Sequence, residues 1–233
     1  MTNPSGQSEA EFLAAYDARN YAAPLTTVDM AIFSLIEGQL QVLLVQRAEH
    51  PARGLWALPG GFIDLQRDQQ LDDAAYRKLK QKTGVDLAYL EQVASTGDQH
   101  RDPRGWSLTV LYYALIDAGD VVLQADPSAS HVQWFQVQQA RQLDLAFDHC
   151  ALLAAAHERL KTKVEYTALP LYLMPPEFTL SELQRVFETI LEKPLEKKSF
   201  RRRMLDAELL QDTGKLRRAG ARPAQLYLSL IHI

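Results

Sequence analysis

The stretch Gly97-Asp98-Gln99-His100-Arg101-Asp102-Pro103-Arg104-Gly105-Trp106 is polar and turn-forming, and an apolar run follows it. Two guanidiniums on a proline-stiffened turn can make bidentate contacts to phosphate or ribose oxygens, with Asp102 orienting one of them. Arg47, at the end of another apolar run, is a further phosphate candidate. Gly60 and Gly61 would let backbone approach a diphosphate closely, and Phe62 behind them offers a face for a base. A salt-bridged loop, a solvated strand end and a core Phe account for the same residues, so composition alone leaves these alternatives open. The second concentration of chemistry lies in the tail. Lys197, Lys198, Arg201, Arg202 and Arg203 crowd around Ser199, and Lys215, Arg217, Arg218 and Arg222 follow in a glycine-bearing stretch. Between Lys197 and Arg222 nine basic residues face three acidic ones, the charge pattern of a polyanion contact. The six histidines show no metal-ligand spacing.

These groups need a scaffold, and the chain can supply one. Its 233 residues are 47% hydrophobic and 23% charged, which excludes disorder, collagen and a disulfide framework. Residues 1–166 hold 21 acids and 14 bases, whereas residues 167–233 hold 8 acids and 11 bases, so the net acidity conceals a basic tail. A single cysteine, Cys150, permits neither an intrachain disulfide nor a multi-cysteine zinc cluster, and points to a reducing compartment. The longest apolar runs fall far short of the roughly 20 residues that span a bilayer. The first 25 residues carry no basic segment leading into an apolar one, so no signal peptide is read. A cytoplasmic protein without membrane contact is expected.

Thr27–Ile36 and Leu40–Val45 are β-rich runs separated by Glu37-Gly38, which predicts a hairpin. Ahead of them Glu9–Arg19 reads as a short peripheral helix. Gly54–Gly61 is a loop, after which Leu71, Ala74, Ala75 and Leu79 recur at helical spacing up to Gly84, a C-cap. Further strands are predicted at Tyr89–Thr96, Ser107–Ile116 and His131–Gln136, and a long helix at Asp148–Tyr166. Alternation of these elements predicts an α/β fold with a mixed sheet covered on both faces. Residues 1–24 then form an extension, 25–166 one domain and 167–233 another, the boundary marked by Pro170, Pro175 and Pro176. In the second domain Thr179-Leu180-Ser181-Glu182 is a capping box opening a helix lined by Leu180, Leu183, Val186, Phe187, Ile190 and Leu191. A second helix, about Leu195 to Leu205, turns Phe200 and Met204 inward. Strands at Leu209-Leu210 and Leu226–Leu230 flank a turn supplied by Gly214 to Gly220.

Leu58-Pro59-Gly60-Gly61-Phe62 with Ala74–Val85 resembles the Nudix box, G-x5-E-x7-R-E-U-x-E-E-x-G-U with U aliphatic. The Gly pair, Arg77, Leu79, Gly84 and Val85 match. The resemblance implies a Nudix-type α/β/α sandwich, in which the family's glutamates hold the divalent ions that activate water. Lys78, Gln81 and Lys82 stand in those places here, so a patch of formal charge −3 becomes +2, and loss of hydrolysis is expected. The spacing from Gly61 to Arg77 is two residues longer than the pattern, and its early Glu has no clear counterpart near Arg67–Gln69. Asp64, Asp68, Asp72 and Asp73 are the carboxylates left nearby. The stretch around Arg101 also resembles the R-D-P-R-G turn of ADP-ribose-type Nudix domains and their regulatory relatives.

Helix, tight turn, cationic helix and arginine-bearing hairpin form the pattern of a winged helix-turn-helix, whose second helix enters the major groove. Arg and Lys there can pair with guanine edges, while Ser199 and the wing cations suit phosphates. The combination resembles the Nudix-related transcriptional regulators of NAD metabolism in bacteria. It implies a homodimeric repressor, not an enzyme and without a cofactor, that binds a palindromic double-stranded operator and senses ADP-ribose or a related nucleotide as effector. The rival is a metal-dependent Nudix hydrolase of ADP-ribose-like substrates with a basic docking tail.

Overall fold

The structure, a computed structural model, describes residues 7–86, 89–123, 127–218 and 223–232. A short helix α1 (Glu9–Ala15) precedes the sheet. It ends sooner than the expected Glu9–Arg19 because a separate 3-10 turn at Ala18–Asn20 takes the rest. Strands β1 (Leu25–Ile36) and β2 (Gln39–Arg47) meet at Glu37 and Gly38, with φ of 52° and 73°. Both central residues at positive φ give the two-residue turn whose twist matches that of its strands.

β1 and β2 pair only near this turn, from Phe33↔Val42 to Ile36↔Gln39, and then diverge. Two short strands fill the fork: β3 (Trp56–Ala57) pairs with β2, and β4 (Gly60–Phe62) with the first half of β1. After helix α2 (Leu71–Thr83), capped by Gly84 at φ 73°, come β5 (Tyr89–Asp98) and β6 (Ser107–Leu115). β6 runs parallel to β1, β5 antiparallel to β6, and β7 (Ala129–Gln136) antiparallel to β2. One turn of helix, α3 (Val137–Ala140), leads towards α4 (His149–Tyr166). Side chains of β1 alternate between the two faces. Val28, Met30 and Ile32 meet Ala74, Ala75 and Leu79 of α2, whereas Ala31 and Phe33 meet Leu152, Leu153 and Ala156 of α4. The expected mixed sheet with helices on both faces is observed.

The tail folds as β8 (Phe178–Thr179), α5 (Leu180–Leu191), α6 (Lys197–Asp206), β9 (Leu210–Arg218) and β10 (Pro223–Ser229). A three-stranded sheet in the order β8-β10-β9 makes the wing. Thr179 and Glu182 form the expected capping box. The wing strands run much further than the sequence implied, because Gly214 lies inside β9 rather than in the turn. At φ 69° it sits where the register slips between Gln225 and Tyr227, so it is a bulge glycine. Arg222, a candidate contact, lies outside the described residues.

The two halves share one apolar core. Leu160 and Val164 of α4 belong to the same buried cluster as Leu183, Phe187 and Ile190 of α5 and Phe200 and Met204 of α6. Pairs from Lys161 to Glu192 (2.7 Å) and from Lys193 to Glu165 (2.8 Å) border the junction. The Thr189 hydroxyl donates to the carbonyl of Gly38 at the hairpin turn (3.3 Å). No helix among the described residues is long and apolar enough to cross a membrane.

Candidate functional site

A cleft of about 680 Å³ opens at the fork between β1 and β2. Arg47, Gly60, Gly61, Phe62, Arg101, Asp102 and Arg104 all line it, so the fold gathers every ligand candidate at one place. Their individual situations differ.

Arg101 is buried, and its guanidinium grips Asp148 through Nε (3.0 Å) and Nη2 (2.9 Å). Nη1 donates to Ser107 Oγ (3.3 Å), and Asp29 Oδ2 lies 3.7 Å from Nη2. A guanidinium held this way is a bolt between the 101–104 turn, β1, β6 and the residue preceding α4. In this structure Asp148 occupies the Nε–Nη2 edge that the expected bidentate ligand contact from Arg101 would use, and the Arg101 side chain is only 5% exposed. Asp29 also accepts from the Thr109 hydroxyl (2.7 Å). Beside it the His149 ring accepts the Leu58 N–H at Nδ1 (2.9 Å) and turns Nε2 towards Asp29 (3.8 Å). Complete burial pushes the His149 pKa down, so the neutral ring anchors the start of the glycine loop. Neither Asp29, Asp148 nor His149 carried a local sequence signal.

Arg104 behaves as the sequence suggested for one of the pair. Asp102 orients it through Nε (3.0 Å) and Nη2 (2.6 Å), and the guanidinium lies 5.2 Å from the ring centre of Phe62, which is exposed at the mouth. The hydrogen bonds from Arg104 hold the Asp102 carboxyl below its usual range. Arg47 stands over Phe147 (4.8 Å) and donates from Nε to the Pro51 carbonyl (2.8 Å). Its pKa is lowered, first by burial and then by the nearby charge of Arg104. Arg47 and Arg104 thus stand near each other in the cleft, with Asp102, Asp29 and Glu49 as the opposing charges around them.

Gly60 is required by close approach: a Cβ there would lie 2.1 Å from Asp29 Oδ1 and 2.5 Å from the Val28 carbonyl. Opposite, α2 presents Lys78 and the buried Lys82 to the cleft. The partner of Arg77 is Asp68, bound through Nε (2.8 Å) and Nη2 (2.5 Å), which ties the loop before α2 to the helix. The other nearby acids have structural roles as well. Tyr112 donates to Asp72 (2.7 Å), and Asp73 accepts the N–H groups of Gln69 and Gln70 at the start of α2. Among the described residues no group of three or more His, Cys, Asp or Glu is placed to share a cation. Lysines at 78 and 82 present cationic donors, and the residues of this face do not fit a divalent ion.

The Asp68–Arg77 pair has a measurable pH signature. The hydrogen bonds from Arg77 hold the Asp68 carboxyl at about 2 against an ordinary 3.8. A depressed folded pKa means stability that is present above pH 4 and lost as pH falls from about 4 towards 2. Asp68→Asn should cost about 1.5–3 kcal/mol at neutral pH, the range for hydrogen bonds to charged groups. In melts across pH the gap between the two proteins should close in that acid window; a gap that persists to pH 2 would exclude the pair as its source.

The second candidate surface is α6. Phe200 and Met204 are buried, whereas Lys197, Lys198, Ser199, Arg201 and Arg202 are exposed. Among the described residues none of these four cations makes a salt bridge or side-chain hydrogen bond. The arrangement is unfavourable for an isolated helix: Lys197 and Lys198 occupy its positive end, and Lys197–Arg201 and Lys198–Arg202 are like charges at i, i+4. Glu196, the N-cap, accepts from the N–H groups of Lys198 and Ser199. A face that breaks these local rules is what a polyanion surface looks like before its partner arrives.

Three of the predicted contacts are engaged within the protein. Arg203 turns inward, donating from Nη2 to the carbonyls of Thr167 (2.8 Å) and Val164 (3.3 Å) at the end of α4, and lies 5.4 Å from the ring centre of Phe187. Unlike Arg201 and Arg202, it caps a helix C-terminus. In the wing, Lys215 pairs with Glu177 (2.6 Å) and Arg217 with Glu182 (2.8 Å). They brace the wing against the start of α5, while Arg218 is exposed beside the tip. Helix α4 consequently joins the two surfaces: Asp148 before its first turn holds Arg101 of the cleft, and its last carbonyls hold Arg203 of α6.

Two family models match the chain. Residues 25–155 match the family description NUDIX domain, and residues 170–228 match NrtR DNA-binding winged helix domain. The "ADPR responsive transcriptional repressor NtrR" of Acinetobacter baylyi is 56% identical over 220 residues, covering 94% of this chain and 88% of the relative. Shewanella oneidensis NrtR, solved in complex with a 27mer DNA, superposes with a TM-score of 0.81 at 47% identity, covering 88% of this chain and 93% of that one. The NUDIX domain of the same protein, solved in complex with ADP ribose, gives a TM-score of 0.62 at 47% identity, covering 66% of this chain and 99% of that one. With matched domains in the same order and a relative of this identity along nearly its whole length, the chain belongs to the NrtR family, a Nudix domain joined to a DNA-binding winged helix.

Proposed function

We propose that the protein is a transcriptional repressor of NAD metabolism genes, which binds its operator through α6 and the wing and is released when ADP-ribose occupies the Nudix cleft. The observation that carries this reading is the outward face of α6, with four cations that have no salt bridge within the described residues, mounted on a winged helix. Lys197, Lys198, Arg201 and Arg202 supply base and phosphate contacts, Ser199 and Arg218 supply phosphate contacts, and Arg47, Phe62 and Arg104 receive the nucleotide. The protein acts as a homodimer on a palindromic site, with half-sites spaced by whole helical turns. It needs no cofactor, and the cationic face of α2 does not support hydrolysis.

Binding of ligand and operator is coupled, so each weakens the other by the same factor. Fluorescence anisotropy with a promoter duplex should show binding that falls steeply with salt, losing roughly a thousandfold or more between 50 and 200 mM if six or more phosphates are neutralised. ADP-ribose should reverse the binding, and duplex should weaken ADP-ribose binding equally. Incubation with ADP-ribose and Mg²⁺ or Mn²⁺ should release no AMP. Turnover to AMP together with indifference to duplex DNA would establish the hydrolase reading instead.

A further inference from the structure

We infer that the cleft holds the diphosphate of its ligand with fixed ammonium groups in place of a divalent metal, and that Lys78 is the residue that meets the phosphates. This inference rests on the reading of the cleft as a nucleotide site and specifies how that site recognises charge.

Lys78 projects from α2 towards the glycine strand. A Cβ placed on Gly61 would lie 2.9 Å from Lys78 Nζ and 3.1 Å from its Cε, so the lysine lies along backbone that is bare because residue 61 is glycine. Gly61 adopts φ 144°, a conformation that other residues rarely take, and it lines the same cleft as Lys78. Glycine at this position thus does two things: it permits the backbone geometry, and it leaves the ammonium room beside β4. A phosphate laid along Gly60 and Gly61 would meet that ammonium directly.

The surrounding charges favour the same occupant. Lys82 is buried on the same helix face one turn further on, and Arg47 and Arg104 line the same cleft. Of the nearby carboxylates, Asp68 pairs with Arg77, Asp102 with Arg104, and Asp29 with Thr109 and Arg101, while Glu49 and Asp64 also line the cleft. Along the described lining cations outnumber carboxylates by six to four, a net positive charge that a dianionic ligand offsets. A magnesium ion entering the same face would add to it. A lysine is also a permanent part of the fold, so recognition does not depend on the free magnesium concentration.

The test titrates the full chain with ADP-ribose by calorimetry, in EDTA and in Mg²⁺. Wild-type affinity should agree within about threefold between the two buffers. Lys78→Met should bind about tenfold or more weakly in both, the loss expected for a charge-assisted contact, and Lys78→Arg should retain most of the affinity. Thermal melts identify a variant that fails to fold, and the wild-type buffer comparison decides the matter without any variant. Wild-type binding that strengthens tenfold on adding Mg²⁺, or a folded Lys78→Met protein that binds as wild type, overturns the inference while leaving the nucleotide site intact. No binding in either buffer overturns the nucleotide reading, and this inference with it.

Discussion

Changing Arg201 and Arg202 together to alanine is expected to weaken operator binding by roughly thirtyfold to twenty-thousandfold at fixed salt, at about 1–3 kcal/mol for each base-contacting arginine. The same double variant should melt no lower than wild type. Both side chains are exposed, and among the described residues neither makes an ion pair or side-chain hydrogen bond that folding would lose. Removing them also relieves like-charge pairs with Lys197 and Lys198, each worth about 0.2–0.5 kcal/mol, so Tm should hold or rise slightly. Arg203→Ala should do the reverse. It strips the cap from the Val164 and Thr167 carbonyls and the cation from the Phe187 ring, so Tm falls although an arginine of the same triplet has been removed. Anisotropy and differential scanning fluorimetry on the same samples separate the two classes. Unchanged affinity in the double variant would assign the basic face another partner, and a marked loss of Tm would mean that the face is structural. A salt dependence shallower by about one unit per lost phosphate contact would mark contributions to the backbone rather than to base edges.

The divergence of three neighbouring arginines shows what the sequence exposes and what it withholds. The hairpin at Glu37-Gly38, the helix ending at Gly84 and the capping box from Thr179 to Glu182 are specified by residues within a few positions of each other, and each forms as expected. Arg203 carried a usable signal too: it lies three residues after Phe200 and beside Met204, on the buried side of α6, while Arg201 and Arg202 point away. A count of charge along the chain ignores that rotation, whereas helical periodicity contains it. Gly214 misled because glycine is equally at home in a turn and in a bulge; the register of β9 against β10 makes the choice. The cleft was less legible. Its basic and glycine residues were recognisable by type, but the partners that fix them come from remote positions: Asp148 is 47 residues from Arg101, and His149 is 91 from Leu58. Nothing local announces such contacts. β3 and β4, two and three residues long, have no periodicity to read, and only the fork between β1 and β2 calls them into being.

Replacing Arg101 by methionine should cost about 3–5 kcal/mol, the penalty for stranding the partner of a buried ion pair, and so threaten the fold of a domain of ordinary stability. The side chain is 5% exposed, and its removal leaves Asp148 without its bidentate donor and Asp29 without its nearest cation. The loss should propagate, because Asp148 immediately precedes α4 and Asp29 neighbours the His149 ring that holds the glycine loop. A purely ligand-binding arginine would behave differently: its removal would lower nucleotide affinity and leave the denaturation midpoint where it was. Chemical denaturation therefore distinguishes the two roles before any ligand is added. The pairing itself is tested by a double-mutant cycle, in which Asp148→Asn added to Arg101→Met should cost less than the two single changes summed, because the uncompensated charge disappears. Additive losses would mean that Arg101 acts through Ser107 and packing instead. An Arg101→Met protein as stable as wild type would return this arginine to the ligand.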